Sequence, residues 1–396
     1  MLPDGWKTTT VGQSCSIRNS LRFPLSAADR AGIQGQYPYF GPTGQLDSID
    51  HYRIDEPFAL IGEDGDHFLK FKDRPMTLYF EGKANVNNHA HIIGDSKECL
   101  AKWFYYYFMH RDLTPVLSRQ GVGRYKLTKA GLEKLEIVLP PLDEQAEIIK
   151  VLSVWDQALT SAERLLINRQ TQKRALMKNI LQPRHAEDWH LNGWERRSLG
   201  DVCVIDRESL PSSTPGEFKF RYISLSDVGE HGISSRLAEY NYVEAPSRAR
   251  RVVREGDILF STVRPNLMGH SYITKEFSEC VASTGFSTLT VKPGVDAHYI
   301  FQYLFSEDMK KQIDALVVGS SFPAIGSSEV EDLQLNLPNE NMQQHISILL
   351  RNQDAQIQCL LDTVNLLSAE QRALMSQLLN GKRRVKLPDA EAEVQA

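Results

Sequence analysis

Residues 135–182, LEIVLPPLDEQAEIIKVLSVWDQALTSAERLLINRQTQKRALMKNILQ, occur twice in this chain. The second copy, residues 333–380, reads LQLNLPNENMQQHISILLRNQDAQIQCLLDTVNLLSAEQRALMSQLLN and is displaced by 198 residues without a gap. Pro140 corresponds to Pro338, Gln145 to Gln343, Asp156 to Asp354, and Arg174–Met177 to Arg372–Met375. A period of about half the chain is too long for a solenoid repeat. It indicates duplication of a unit made of one globular domain and one long helix.

In the first copy, apolar or boundary residues fall at 148, 152, 155, 159, 162, 166, 169, 173, 176 and 180. The steps alternate four and three, the spacing of a coiled-coil seam. Asp143 and Asn341 are suitable N-caps, each with a proline upstream. Pro183 and Gly381 mark the ends. Each helix is then roughly 60 Å long at 1.5 Å per residue, and a lone amphipathic helix of that length would leave its stripe in water. Each seam is expected to pack against the other. The linker 183–192 spans at most roughly 36 Å, too little to carry the chain back along the first helix. The expectation is an antiparallel pair with a pseudo-two-fold axis and a globular domain at each end. Polar seam residues Arg169, Lys173, Gln353 and Gln371 fit a role in register.

The pattern LPPLDEQAEII followed by QKRALMKNILQ resembles the conserved region of the specificity subunit of type I restriction–modification systems. The second copy departs from it at Asn339 and Met342. The resemblance covers essentially the whole chain and implies an α+β architecture: two pseudo-symmetric α/β target-recognition domains separated by two long antiparallel helices in a coiled coil. The expected layout is a first recognition domain over 1–141, a helix over 142–182, a linker over 183–192, a second recognition domain over 193–339, a helix over 340–381 and a polar tail over 382–396. In that family each domain reads one half of a split double-stranded DNA target and the subunit is not catalytic. Its partners are methyltransferase subunits, expected here as two, and restriction (nuclease/translocase) subunits. S-adenosylmethionine, ATP and Mg belong to those partners, so no cofactor or metal is expected in this chain. The outer helix faces, with Glu144, Glu147, Lys150, Asp156, Glu163 and Arg164, are the expected docking surface or simply solvated.

Composition sets bounds. The 396 residues are enough for two domains and connectors, and the five cysteines are scattered and never in a CxxC pair. That suits a reducing cytoplasm. With no basic–apolar–small pattern at Met1 and no run of 18 apolar residues, neither export nor membrane insertion is expected. A net charge of −5 counts modestly against a stand-alone DNA-binding protein, though less so where a partner supplies phosphate contacts.

The two halves also open alike. Gly5–Trp6 and Gly193–Trp194 are offset by 188, which leaves ten extra residues inside the second domain. The tryptophans fit core anchors. LAKWFYYYFMH (100–110) and YIFQYLF (299–305) fit core helices.

Residues 35–95 suggest strands and turns. GQYPYFGPTG (35–44) offers Tyr37, Tyr39 and Phe40, for nucleic-acid contact or for a packed hairpin. KANVNNHAH (83–91) holds Lys83, Asn85, Asn87, Asn88, His89 and His91. Amides and cations of this kind read adenine and guanine in the major groove, and the segment resembles one common in the family's first recognition domains. A structural turn ranks first for it, a DNA loop close behind, and a metal site far behind. SRQGVGRYKLT (118–128) brings Arg119, Arg124 and Lys126 as candidate phosphate contacts. VGSSFPAIG (318–326) brings Ser320 and Ser321, and neither loop is a nucleotide P-loop.

In the second half RARRVVREGD (248–257) contributes Arg250 and Arg251 as candidates, with a solvated face as the alternative. VRPN (263–266), similar to a segment of many specificity subunits, contributes Arg264 and Asn266, with a buried ion pair as the alternative for Arg264. STGFS (283–287) lacks the nucleophile-elbow pattern and fits a strand turn. The two domains are dissimilar inside, so their half-targets should differ. Two competing functions remain: a non-catalytic scaffold on a coiled-coil spacer, and a fused DNA-modifying enzyme. The second would need cofactor and catalytic motifs, and the sequence shows neither.

Overall fold

The computed structural model describes residues 2–120, 124–182, 193–229, 232–317 and 323–386. The linker 183–192, Gly121, Ser320, Ser321, the Arg124 side chain and the tail past Lys386 lie outside the described residues. The chain forms two compact units, Met1–Ser161 with Val364–Ala396, and Ala162–Thr363. Both boundaries fall within the long helices, Leu142–Ile180 and Glu340–Leu378. Each unit therefore holds one globular body and one end of each helix.

In the first unit, Lys7–Thr10 pairs antiparallel with Glu136–Leu139, the strand that leads into the long helix. One four-stranded sheet has the order Ser16–Ile17, Ala90–Gly94, Phe58–Gly62, Thr77–Phe80. A second has Gln45–Ile49, Gln34–Phe40, Lys83–Val86, Ile54–Asp55, its central pair parallel. Phe40, Ile54 and Val86 from one sheet pack with Phe58, Leu60 and Ile92 from the other. The helix Ala101–Phe108 covers the outer face, with Trp103, Phe104 and Phe108 buried as anticipated.

The second unit repeats this plan despite its dissimilar sequence. Glu195–Ser198 pairs with Gln334–Leu337. Its sheets run Cys203–Ile205, Phe286–Val291, Ile258–Ser261, Ser271–Tyr272, and Ala238–Asn241, Lys219–Ile223, Val281–Ser283, Ala249–Val252. Four residues join Gln34–Phe40 to Gln45–Ile49, whereas fourteen join Lys219–Ile223 to Ala238–Asn241. The ten-residue excess expected from the offsets is the net over several connections, of which this one shows the largest gain. A short hairpin, Val228–Gly229 with Gly232–Ile233, fills it.

All ten expected seam positions on the first helix are buried or half-buried. On the second, Gln343, Ile346, Leu350, Gln353, Ile357, Leu360, Val364, Leu367, Gln371, Leu374 and Leu378 form the matching stripe. In the first unit the Gln371 amide donates to Asp156 at 2.5 Å, and Leu378 and Met375 share a core with Ile148 and Leu152. In the second unit Lys173 reaches Asp354 at 2.5 Å. Within each unit, then, the start of one helix lies beside the end of the other. Under the 198-residue offset these two polar contacts are one contact repeated, with an amide in one copy and an ammonium in the other.

The helices are capped two residues earlier than Asp143 and Asn341. The first helix begins at Leu142, because the Pro141 carbonyl already accepts the Gln145 amide at 2.9 Å. Asp143 sits inside the first turn and accepts the Glu144 amide. The second helix begins at Glu340 and is capped by Asn339, whose Oδ1 accepts the Met342 amide at 3.0 Å. At the far end Gly381 has φ +67°, and its amide and that of Lys382 satisfy the carbonyls of Leu378 and Gln377.

Two expected docking residues face inward instead. Glu144 is 1% exposed, accepts the Trp6 indole N–H, and is gripped by Arg384 Nε and Nη2 at 3.0 and 2.7 Å. Asp156 lies half-buried in the seam, bound to Tyr106 and Gln371, and burial raises its pKa. Trp6 and Trp194 are core anchors, as expected.

Candidate nucleic-acid interface

Each unit knots three loop segments together with the same backbone hydrogen bonds. In the first, the Glu63 amide donates to His89 O at 2.7 Å, the Leu127 amide to Glu63 O at 2.8 Å, and the Gly65 amide to Tyr125 O at 3.1 Å. In the second, the Thr262 amide donates to Gly285 O at 2.9 Å, the Ile325 amide to Thr262 O at 3.0 Å, and the Arg264 amide to Pro323 O at 2.7 Å. Isolated bridges Asp64–Lys126 and Val263–Ala324 complete the match. The segments are the exit of a central strand, the turn into its neighbour, and the loop before the long helix. Main-chain bonds build this junction, so its side chains are free to differ.

In the first unit the junction gathers Asn88, His89, Arg119 and Lys126 from the expected set. His89 lies 3.0 Å from Asp64, and Lys126 lies 3.3 Å from Glu63 and 3.8 Å from Asp64. Arg22 pairs with Glu63 at 2.8 Å and reaches the Asn88 carbonyl. Arg119 is exposed beside the Tyr125 ring. Cations and carboxylates alternate here. Such a surface suits base edges, where a carboxylate accepts from cytosine and a cation donates to guanine, better than phosphates alone.

Several expected residues are elsewhere. Tyr39 is fully buried, donating to Phe23 O at 2.6 Å and accepting the Leu25 amide. Asn85 is fully buried and donates to His51 O. Asn87 accepts the His89 amide and shapes the turn, the role ranked first. His91 is fully buried, and burial lowers its pKa. Its Nε2 lies 2.7 Å from the Leu127 carbonyl and its Nδ1 2.6 Å from Arg22, so as a neutral ring it donates to one and accepts from the other. Tyr39, Asn85 and His91 are fully buried within their strands and Asn87 is buried in its turn, so none of the four is presented to DNA. Lys83 is exposed, over Tyr52, but at the opposite end of its strand. Among the described residues no group of three or more His, Cys, Asp or Glu could hold a metal ion.

In the second unit Arg264 and Asn266 lie exposed on the junction. Arg264 adopts φ +50° where the first unit has Gly65 at +133°, and Met268 adopts +54°. Left-handed backbone costs a non-glycine residue roughly 1–2 kcal/mol, so this turn is held by its surroundings. Thr262 Oγ1 and N both donate to Gly285 O, and Ser261 Oγ donates to Val263 O. Arg251 is paired with Asp206 at 2.8 Å and donates to Ser209, as the carboxylates and cations of the first junction pair with one another. Arg250 is half-buried and lies over Tyr242.

His270 closes this turn. It is buried against Phe260, and its Nδ1 accepts the Ser261 amide. Burial pushes its pKa down to about 3. The folded state therefore keeps it neutral, giving stability that is full above its ordinary pKa and lost as pH falls below about 6.5. By pH 4 that loss is expected to reach about 3 kcal/mol. His270→Asn keeps an acceptor for Ser261, and denaturant unfolding at pH 7 and pH 4 should show most of the acid sensitivity of the second unit gone.

Reading the sequence missed Glu63, Asp64 and Thr284, which all sit on the junction. The one available signal was the shared 198-residue offset of the loops before the helices, which pairs Lys126 with Ala324.

The family described as the type I restriction modification DNA specificity domain matches this chain twice, over residues 3–169 and 192–363. The chain belongs to that family. A Haemophilus influenzae protein carrying the name of a type I restriction enzyme specificity subunit is 33% identical over 156 residues, which span 39% of this chain and 38% of that protein. The MjaVIII specificity subunit of Methanocaldococcus jannaschii is 22% identical, and its match covers 97% of this chain and 94% of that one. Among solved structures, the S subunit of a type I restriction–modification system from M. genitalium is 14% identical with a TM-score of 0.64, covering 96% of this chain and 98% of that one. That likeness shows the fold. Among the described residues no helix of this specificity-domain chain is long and apolar enough to cross a membrane.

Proposed function

We propose that this chain is the DNA-reading subunit of a type I restriction–modification complex, each unit reading one half of an asymmetric bipartite target. The observation that carries this is the junction: one backbone scaffold built twice, with unlike side chains on it. His89, Asn88, Arg119, Lys126, Glu63 and Asp64 serve one half-site, and Arg264, Asn266 and Thr284 the other. The two long helices act as a coiled-coil spacer between the half-sites. Methyltransferase subunits dock on the outer helix faces, where Val154, Leu165, Ile167, Ile348, Leu349 and Leu366 are exposed. Methyl transfer, with its S-adenosylmethionine, is the partners' work, as is any ATP- and Mg-dependent cleavage, and the setting is cytoplasmic.

The test is selection of random duplexes by the chain co-purified with its host's methyltransferase. A split, asymmetric motif is expected. Arg264→Ala with Asn266→Ala should weaken binding through one half-site roughly 30-fold or more, at about 1–3 kcal/mol for each of two base contacts, and leave the other intact. Selection of no motif, or equal loss at both halves, would sink the proposal.

A further inference from the structure

The turn that carries Arg264 and Asn266 also presents Leu267, which is 69% exposed. An exposed leucine alone means little. This one is held rigid in the open. It lies between two left-handed residues, Arg264 and Met268. Its amide is bonded to Arg264 O, and the next amide to the buried Pro265. On either side the turn is tied down by Thr262, Ser261 and His270. Holding an apolar side chain rigidly in water gains nothing for the fold. The first unit does not repeat this: at the place of Leu267 it has the buried Phe68, and its exposed leucine, Leu69, follows one residue later in a 3-10 turn.

We propose that Leu267 is a specificity-determining residue that contacts the C5-methyl group of a thymine in the half-site read by the second unit. This rests on the DNA-reading function argued above. The chemistry selects the ligand. Arg264 and Asn266 are suited to the polar edges of guanine and adenine, and the major groove offers an apolar side chain one apolar partner, the thymine methyl. A rigid turn places the leucine at a fixed depth beside those two neighbours. An apolar wedge pushed between base steps from the minor groove is the competing use of such a residue, and it would not depend on that methyl group.

Deoxyuridine lacks the methyl and keeps every hydrogen-bonding group of thymine. Target duplexes in which each thymine is replaced singly by deoxyuridine are bound by the wild-type chain with its methyltransferase, and by Leu267→Ala. At one position in the second unit's half-site the replacement should weaken wild-type binding about fourfold, the worth of one buried methyl. It should leave Leu267→Ala unchanged. Leu69→Ala should respond at that position as the wild type does. Because Leu267 is exposed, the variant should melt at the wild-type temperature. Identical deoxyuridine profiles for wild type and Leu267→Ala would overturn the assignment, whether through a wedge or no contact at all. A wild-type complex with no sequence preference would instead overturn the DNA-reading function beneath it.

Discussion

Gln145→Ala is expected to destabilise the first unit by roughly 2–4 kcal/mol, far more than an ordinary glutamine on a helix. Gln145 is fully buried in the first turn of the long helix. Its Oε1 accepts the Leu100 amide at 3.0 Å, and its Nε2 donates to Glu98 O at 2.7 Å and Pro140 O at 2.9 Å. Leu100 precedes the core helix Ala101–Phe108, so one amide clasps that helix to the long one. Alanine would strand three main-chain groups, and a buried unpaired group costs more than its hydrogen bond gained. Gln343 repeats the clasp with two bonds, to the Asp296 amide and Pro338 O. Gln343→Ala should therefore cost about 1 kcal/mol less. Gln145→Glu should be worse than alanine near neutral pH, because it aims a carboxylate at two carbonyls. Denaturant unfolding reads all three, with exposed Gln344→Ala as control. A Gln145→Ala chain that unfolds with the wild type would refute the clasp.

That clasp explains why the glutamate–glutamine pair was legible as a motif while its purpose was not. Sequence periodicity exposed the helices because a seam of 3.5-residue spacing is written in side chains. Their antiparallel packing followed from linker length, which is simple geometry. The junction was hidden for the opposite reason: main-chain hydrogen bonds define it and tolerate any side chain, so Glu63 and Thr262 occupy one place without resembling each other. The polar segment 83–91 misled because composition does not tell inside from outside. An antiparallel sheet with one wet face alternates, but here Ala84, Asn85 and Val86 are buried in succession, since both faces are covered. Glu144 misled similarly. Its partner, Arg384, lies beyond the second helix, and the second copy has Met342 in its place, so no pattern within one copy announced the pair.

One added heptad in each long helix, after Leu166 and after Leu360, is expected to move the preferred spacer by about three base pairs and leave both half-sites unchanged. Seven residues at 1.5 Å add roughly 10 Å, and B-DNA rises 3.4 Å per base pair. A heptad keeps every seam residue on the seam. It also lies between the two repeated polar contacts, Asp156 with Gln371 and Lys173 with Asp354, so each should persist within its own unit. Binding to the original target should fall toward the non-specific level, a loss on the order of 10³-fold or more. A target with the longer spacer should recover part of it, because three base pairs also turn one half-site by roughly 100° about the DNA axis. Lengthening only one helix should instead mismatch the seam and lower stability, with no new spacer gained. Four residues in both should rotate the stripes off the seam and act the same way. Selection of bound duplexes from a library with randomised spacer length separates these outcomes. An unchanged spacer in the double-heptad chain would mean that something other than these helices sets the interval.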